Sequence, residues 1–175
     1  MKYTKSNAVF SECRKYRYSL VREWDTKKPK LGIVMRNPSN ADEINDDRTI
    51  HICVQLAEKF GFGGIIVTNL FAYIAKNFDK LRTVPDPVAS ENNEHISTML
   101  KGVDKVLCGW GDDRAFRGQA AKVASFLAER TNLYCLGTTS KGAPRHPSRV
   151  ALKAEMVDYT PDFQQAIRSS IKEEV

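Results

Sequence analysis

The chain has no apolar run that approaches the roughly 18 residues needed to cross a membrane. Its first residues, Met1 to Ser6, place no apolar segment after the basic side chains, so we expect no secretory signal. These absences argue against membrane and exported proteins. They predict a cytoplasmic protein that does not bind a membrane.

The glycine-rich motifs of the common nucleotide-binding folds are also missing. The sequence contains neither G-x-x-x-x-G-K-[ST] nor G-x-G-x-x-G, and the glycines at 61–64 end a predicted helix instead of opening one. No G-x-S-x-G nucleophile motif is present. We therefore expect no cofactor, no P-loop hydrolysis and no redox chemistry.

Cysteine is scarce, and none of the four cysteines forms a C-x-x-C pair. Cys53 and Cys108 fall inside apolar segments, and Cys135 has apolar neighbours, which indicates buried, reduced thiols. A zinc or iron–sulfur site would need closer spacing, so we expect no metal.

Length and composition are those of one ordinary globular domain. The chain has 175 residues, of which 42% are hydrophobic and 27% charged. We interpret it as a monomeric single domain, residues 1–175, in three parts. These are a basic N-terminal hairpin (1–30), a core (31–159) and a C-terminal helix (160–175).

The net charge of +6 lies entirely in the first 30 residues, where nine Lys and Arg face three acids. Residues 31–175 are neutral, with 18 charges of each sign. A second, local excess lies between Glu129 and Glu155, which enclose five cations and no acid. Clustered cations suit a polyanion such as DNA or RNA. The alternative is a basic surface without a partner.

Two kinds of apolar pattern predict the strands. Alternating apolar and polar residues at 8–10 and 16–24 predict a half-buried N-terminal hairpin. Continuous apolar runs predict strands covered on both faces, at 31–35, 65–68, 106–108 and 133–136. Helical spacing predicts helices between them, at 49–60, 90–101 and 115–130.

This alternation of strands and helices predicts an α/β fold, because such units form right-handed crossovers. We expect a three-layer αβα sandwich with a mostly parallel, four-stranded central sheet. The N-terminal β-hairpin should extend one edge of that sheet.

The first candidate site motif follows the predicted strand at 31–35. Pro38 biases Asn37 toward an extended conformation, which holds its carboxamide at the strand tip to orient a water or contact a ligand. The acids that follow this motif offer a general base or a metal ligand: Asp42, Glu43, Asp46 and Asp47. Alternatively, the motif is a turn, and the acids favour the start of the next helix.

The second motif follows the last predicted strand. His146 lies between two prolines on a basic loop, where its imidazole can donate to an oxyanion or shuttle a proton. Ser148 and nearby amides can contact a phosphate. The alternative is an exposed loop histidine. Asn69, at another strand end, has the donor and acceptor needed to recognise the edge of a base, or it satisfies the local backbone.

Nearly the whole chain resembles a bacterial and phage family catalogued as domain of unknown function 1643. Six segments carry the resemblance: Tyr16-Arg17-Tyr18, Asn37-Pro38-Ser39-Asn40-Ala41-Asp42, Asp46-Asp47-Arg48-Thr49, Asn69-Leu70-Phe71-Ala72-Tyr73, Trp110-Gly111 and Gly142-Ala143-Pro144-Arg145-His146-Pro147.

A more distant resemblance is to the uracil-DNA glycosylase superfamily. Asn37-Pro38 is similar to its first motif, with Ser39 where glycine is commoner, and His146-Pro147-Ser148 is similar to its second. Thr68-Asn69 is similar to its middle element. The aspartate of the most active uracil branch and the cysteines of the iron–sulfur branches have no counterpart here.

This resemblance implies cleavage of the N-glycosidic bond of a base flipped out of DNA. Asn37 would position the attacking water, with Asp42, Asp46 and Asp47 as alternative activators, and His146 would stabilise the departing base. Asn69 and Tyr73 would bind the base. The implied phosphate contacts are Ser39, Arg145, Ser148 and Arg149.

The substrate implied is a modified base, as found in phage DNA, and the role antiviral defence or repair. Two alternatives stay open. One is a hydrolase on the same fold that processes a nucleotide or modified base with Asp46 and Asp47. The other is a non-catalytic nucleic-acid-binding module.

Overall fold

Seven strands form a single mixed sheet in the computed structural model, which describes residues 2–112 and 117–160. The strands are β1 (Lys5–Phe10), β2 (Arg17–Glu23), β3 (Lys30–Met35), β4 (Gly64–Asn69), β5 (Lys105–Gly109), β6 (Leu133–Cys135) and β7 (Val157–Asp158). The α-helices are α1 (Arg48–Lys59), α2 (Asn92–Leu100) and α3 (Arg117–Ala128). Two short 3-10 helices lie at Phe78–Thr83 and Pro147–Arg149.

The sheet has the order β1-β2-β4-β3-β5-β6-β7. Its four central strands, β4, β3, β5 and β6, run parallel to one another. The three outer pairings, β1 with β2, β2 with β4 and β6 with β7, are antiparallel. The fold is therefore a mixed α/β fold.

The expected sheet, four central strands with an N-terminal hairpin, lacked one of the seven strands, and the sheet is mixed where we expected a mostly parallel one. The N-terminal hairpin does extend the edge beyond β4, as expected. However, β7 adds a further antiparallel strand beyond β6, and its two exposed residues give no apolar run that sequence patterns would detect. The helix expected from 160 onward falls almost wholly outside the described residues.

Helices cover both faces of the parallel strands. On one face Ile33 and Met35 of β3 pack with Ile50 and Cys53 of α1. On the other face Val34 packs with residues of α2 and α3 such as Ile96 and Leu127. Because both faces are covered, β3 and β5 are apolar at nearly every position.

The strand order places a crevice at one end of the sheet. From β3 the chain crosses to β4 on one side through α1, and then returns past β3 to β5 through α2. The strand β5 then continues into α3, which packs on the same face as α2. The connections that follow β3 and β5 therefore leave on opposite faces of the sheet. In doubly wound sheets this topological switch point, at the carboxyl ends of the strands, is where ligands bind.

The predicted helices form, with small shifts at their ends. Asp47 caps α1, because its side chain accepts from the backbone N–H of Ile50 (2.9 Å). Glu91 is the cap residue of α2, and its side chain makes no capping bond. No helix of residues 2–112 and 117–160 is both long and apolar enough to span a bilayer.

A bulge at Tyr18 interrupts the regular alternation of side chains along β2. Pairing with β1 passes from Ser19 to Arg17 and skips Tyr18. Arg17 then donates to the carbonyl of Ala41 near α1 (2.8 Å), whereas Tyr18 donates to Glu91 beside α2 (2.6 Å). Arg17 is thereby buried, although the hairpin is the basic part of the chain.

The cysteines are all unpaired, as expected, and Cys53, Cys108 and Cys135 are buried. Burial raises the pKa of the Cys53 thiol to about 12. Cys13, by contrast, is exposed.

Candidate functional site

A pocket of about 460 Å3 opens beyond the carboxyl ends of the four parallel strands. Its volume is in the range typical of small-ligand sites, about 300–1,000 Å3. The lining residues follow β3, β4, β5 and β6 in turn: Arg36, Asn37, Lys76, Gly111, Asp112, Thr139, Arg145, His146, Ser148 and Arg149. Asn37 and His146 thus line the same cavity, although they lie 109 residues apart in the chain.

Asn37 is held at the tip of β3 by its own amide nitrogen. Nδ2 donates to the carbonyl of Ala75 (2.8 Å) and to that of Pro38 (3.0 Å). Because only the amide nitrogen can donate to two carbonyl oxygens, these contacts fix the orientation of the carboxamide. Oδ1 is left as an acceptor with no partner among the described residues, at a position that lines the pocket.

His146 has one ring nitrogen engaged, and its other ring nitrogen has no partner within residues 2–112 and 117–160. The backbone N–H of Ser148 donates to Nδ1 (3.3 Å), and the Ser148 hydroxyl lies 2.8 Å from the same atom. Because Nδ1 accepts, the neutral imidazole carries its proton on Nε2. Burial, the largest cause, and the positive charges of Arg36 and Arg149 together lower the pKa of His146 to about 4. The ring is therefore neutral at pH 7.

Two glycines allow the histidine loop to pack against β5. A Cβ at Gly109 would lie 2.9 Å from Cδ of Pro147, so Pro147 occupies the space of the absent side chain. Gly111 has a positive φ of 71°, and its N–H donates to the carbonyl of Pro144 (2.8 Å). These contacts fix His146 relative to the strand.

Arg36 joins the tips of β3 and β5. Its Nε donates to the carbonyl of Trp110 (2.9 Å), and its Nη2 donates to that of Asp112 (2.7 Å). The guanidinium thus serves as a fixed positive charge in the pocket wall.

The remaining cations of the pocket, Lys76, Arg145 and Arg149, are exposed at its opening. Arg145 is positioned by its Nε, which donates to the carbonyl of Thr138 (2.9 Å). These three cations and Arg36 outnumber the one carboxylate among the described lining residues, that of Asp112. Such a charge balance favours an anionic ligand.

The family described as Protein of unknown function (DUF1643) matches residues 17–148. The chain belongs to this family. The matched region contains every described residue that lines the pocket except Arg149. No curated protein matches the chain, and no solved structure does.

In this DUF1643 protein the three predicted acids lie outside the pocket lining. Asp42 accepts from the N–H groups of Ile44 and Asn45 within a turn, and these bonds lower its pKa to about 2. Asp46 accepts from Arg22 (2.7 Å) and from the hydroxyl of Tyr3. Asp47 caps α1. The contacts of Asp42 and Asp47 are those of the turn-and-helix alternative, whereas Asp46 belongs to a buried ion pair with Arg22.

Three other predicted residues are also outside the lining. Ser39 follows the Asn37-Pro38 step and is half-buried. Tyr73 packs edge-to-face with Tyr16, with ring centroids 5.4 Å apart. Asn69 is 1% exposed, and neither atom of its side-chain amide has a hydrogen-bond partner among the described residues.

Sequence reasoning missed four side chains of the pocket: Arg36, Lys76, Asp112 and Thr139. Each follows one of the parallel strands, as pocket residues of α/β proteins do. None belongs to a motif that marks it, so the usable signal is position after a strand. Among residues 2–112 and 117–160, no three His, Cys, Asp or Glu side chains group together as metal ligands would.

Proposed function

We propose that this protein is a glycosylase-like hydrolase that cleaves the N-glycosidic bond of a base extruded from DNA. The observation that carries the proposal is that Asn37 and His146 line one pocket whose opening is rich in cations. The finer fold resemblance, to a uracil-DNA glycosylase-like sandwich, is part of this proposal. It is supported by the four parallel strands with the pocket at their carboxyl ends.

Asn37 would hold the attacking water. Its Nδ2 is occupied by two backbone carbonyls, so Oδ1 accepts a hydrogen bond from the water and directs a lone pair of that water toward C1′ of the sugar. In the overall hydrolysis the water oxygen bonds to C1′ and a proton of the water ends on the released base. Because the carboxamide is already oriented, no rearrangement is needed when the substrate binds.

His146 would stabilise the departing base. When the N-glycosidic bond breaks, its electron pair leaves with the base, and negative charge develops on the ring atoms. The Nε2–H of a neutral imidazole donates a hydrogen bond to that charge. Ser148 keeps the ring oriented through Nδ1.

The exposed cations would bind the phosphates on either side of the base. Arg145 and Arg149 come from the same loop as His146, so phosphate contacts there set the depth at which a base enters the pocket. A modified base of phage DNA is the substrate that we favour, with an antiviral or repair role. The protein would act as a monomer and without a metal or organic cofactor.

The experiment is to incubate the protein with DNA that contains uracil or phage-type modified bases and to detect released base by mass spectrometry. We expect release in excess chelator, and a loss of about 100-fold or more in Asn37→Ala, the order found when a positioning contact is removed. Asn40→Ala is the matched control, because Asn40 is exposed and outside the lining. Absence of release from every substrate, or release that requires a metal, would contradict the proposal.

A further inference from the structure

Asp112 supplies the one carboxylate among the described residues that line the pocket. It follows β5, two residues beyond Trp110, and faces a lining that is otherwise rich in hydrogen-bond donors. Its backbone carbonyl accepts from Nη2 of Arg36 (2.7 Å), which holds the residue against the tip of β3.

The hydrogen bonds around Thr139 determine how the Asp112 carboxylate is used. The backbone N–H of Lys141 donates to Oγ1 of Thr139 (3.3 Å). That hydroxyl therefore directs its own proton to Oδ1 of Asp112, 2.8 Å away. Oδ1 is occupied, and Oδ2 is the acceptor with no partner among the described residues.

From this geometry we propose that Asp112 selects a base that carries an exocyclic amino group. The inference rests on the proposed function and names the substrate class of that same pocket. A carboxylate oxygen accepts a hydrogen bond from an amino group, as it does from the N4 amino group of cytosine. It repels the carbonyl oxygen that uracil or hypoxanthine presents at the equivalent position.

The rest of the lining complements such a base. Nε2–H of His146 donates to a ring nitrogen or carbonyl, whereas Asp112 accepts from the amino group. Cytosine, adenine and their amino-bearing derivatives offer both kinds of group. Uracil lacks the amino group and leaves the carboxylate without a donor, which costs affinity.

Binding to short single-stranded oligonucleotides tests this selection without requiring cleavage. Each probe carries one test base flanked by abasic sites, and two pairs of probes differ only by amino against oxo: cytosine with uracil, and adenine with hypoxanthine. We expect the amino member of each pair to bind about tenfold more tightly, the order of one hydrogen bond to a charged group.

Asp112→Asn should reverse the preference. Thr139 still donates to the side-chain oxygen of the asparagine, so the amide nitrogen Nδ2 takes the place of Oδ2. Because Nδ2 is a hydrogen-bond donor, the oxo member of each pair should bind better. The matched control is Asp104→Asn, which removes the same charge at the exposed amino end of β5. That variant should retain the amino preference.

The outcomes separate the two proposals. Binding with equal affinity for amino and oxo probes, or a preference that Asp112→Asn leaves unchanged, overturns the selection by Asp112 and leaves the proposed function intact. Failure of every probe to bind overturns both. Amino-selective binding with no base release in the mass-spectrometric experiment supports the selection and contradicts the hydrolase.

Discussion

At the scale of single residues, His146 shows how a loop histidine becomes a neutral hydrogen-bond donor. Ser148 occupies Nδ1, and burial together with Arg36 and Arg149 disfavours the second proton. A protonated ring would add a fifth positive charge to the four of the described pocket lining. The neutral ring instead offers one directed N–H.

The lowered pKa of His146 predicts how stability depends on pH. Between the ordinary pKa of 6.5 and the folded value of about 4, the unfolded chain binds a proton that the folded chain does not. The free energy of unfolding therefore falls as the pH drops through this window, by about 2 kcal/mol at pH 5. Urea unfolding at pH 7.5 and pH 5.0 should show this loss in the wild type and a smaller one in His146→Gln. Equal losses in the two proteins would contradict the assignment.

The acids near Asn37 show which residue roles the sequence could not reveal. The sequence alone does not distinguish the roles of Asp42, Asp46 and Asp47, because the role of each depends on which residues it contacts in the fold. Asp46 pairs with Arg22 and Tyr3, 24 and 43 residues away in the chain. The Arg22–Asp46 pair is buried on both sides, so it belongs to the support of the loop.

At the scale of elements, the short 3-10 helix at Pro147–Arg149 depends on a close approach to β5. Pro147 is buried and occupies the space above Gly109, and the segment also packs against α1. The position of His146 is thus determined by packing between elements as well as by its own loop.

Gly109→Ala should displace this segment. The added methyl group would lie 2.9 Å from Pro147, and overpacking of this kind costs about 1–3 kcal/mol of unfolding free energy. Urea unfolding measures the loss. Gly118→Ala in α3 is the control, because its Cβ would meet nothing within 4 Å and alanine favours a helix. A Gly109→Ala protein as stable as the wild type would show that this contact does not hold the loop.

Most elements were predictable because each parallel strand is a short apolar run between helices. The two site motifs follow such strands, and the switch-point rule brings strand ends together, so their shared location was predictable too. The β2 bulge and β7 were not, because pairing across the sheet determines both. Asp112 and Thr139 reach the pocket through loops that have no distinguishing motif.

At the scale of the whole molecule, net charge and site charge lie in different places. Lys27 and Lys28 are exposed on the turn that precedes β3, at the opposite end of that strand from the pocket. Arg17 and Arg22, from the same basic region, are buried. The pocket cations come instead from residues 31–175, which carry no net charge: Arg36, Lys76, Arg145 and Arg149.

Salt dependence of DNA binding should therefore follow the pocket cations. The logarithm of the affinity falls with the logarithm of salt concentration by about 0.9 for each phosphate neutralised on duplex DNA. Replacing Arg145 and Arg149 by glutamine should make the slope shallower by about 1.8, whereas replacing Lys27 and Lys28 by glutamine should leave it unchanged. Fluorescence anisotropy over a salt series measures both. An equal change in the two variants would indicate binding by net charge alone.

The most direct test of the shared pocket is an NMR titration of the protein with a short oligonucleotide that carries one test base. The side-chain amide of Asn37 and the Nε2–H of His146 are observed together. If both groups face one bound base, their resonances shift along the same saturation curve and give one Kd. Movement of only one of them, or two different Kd values, would contradict a common site.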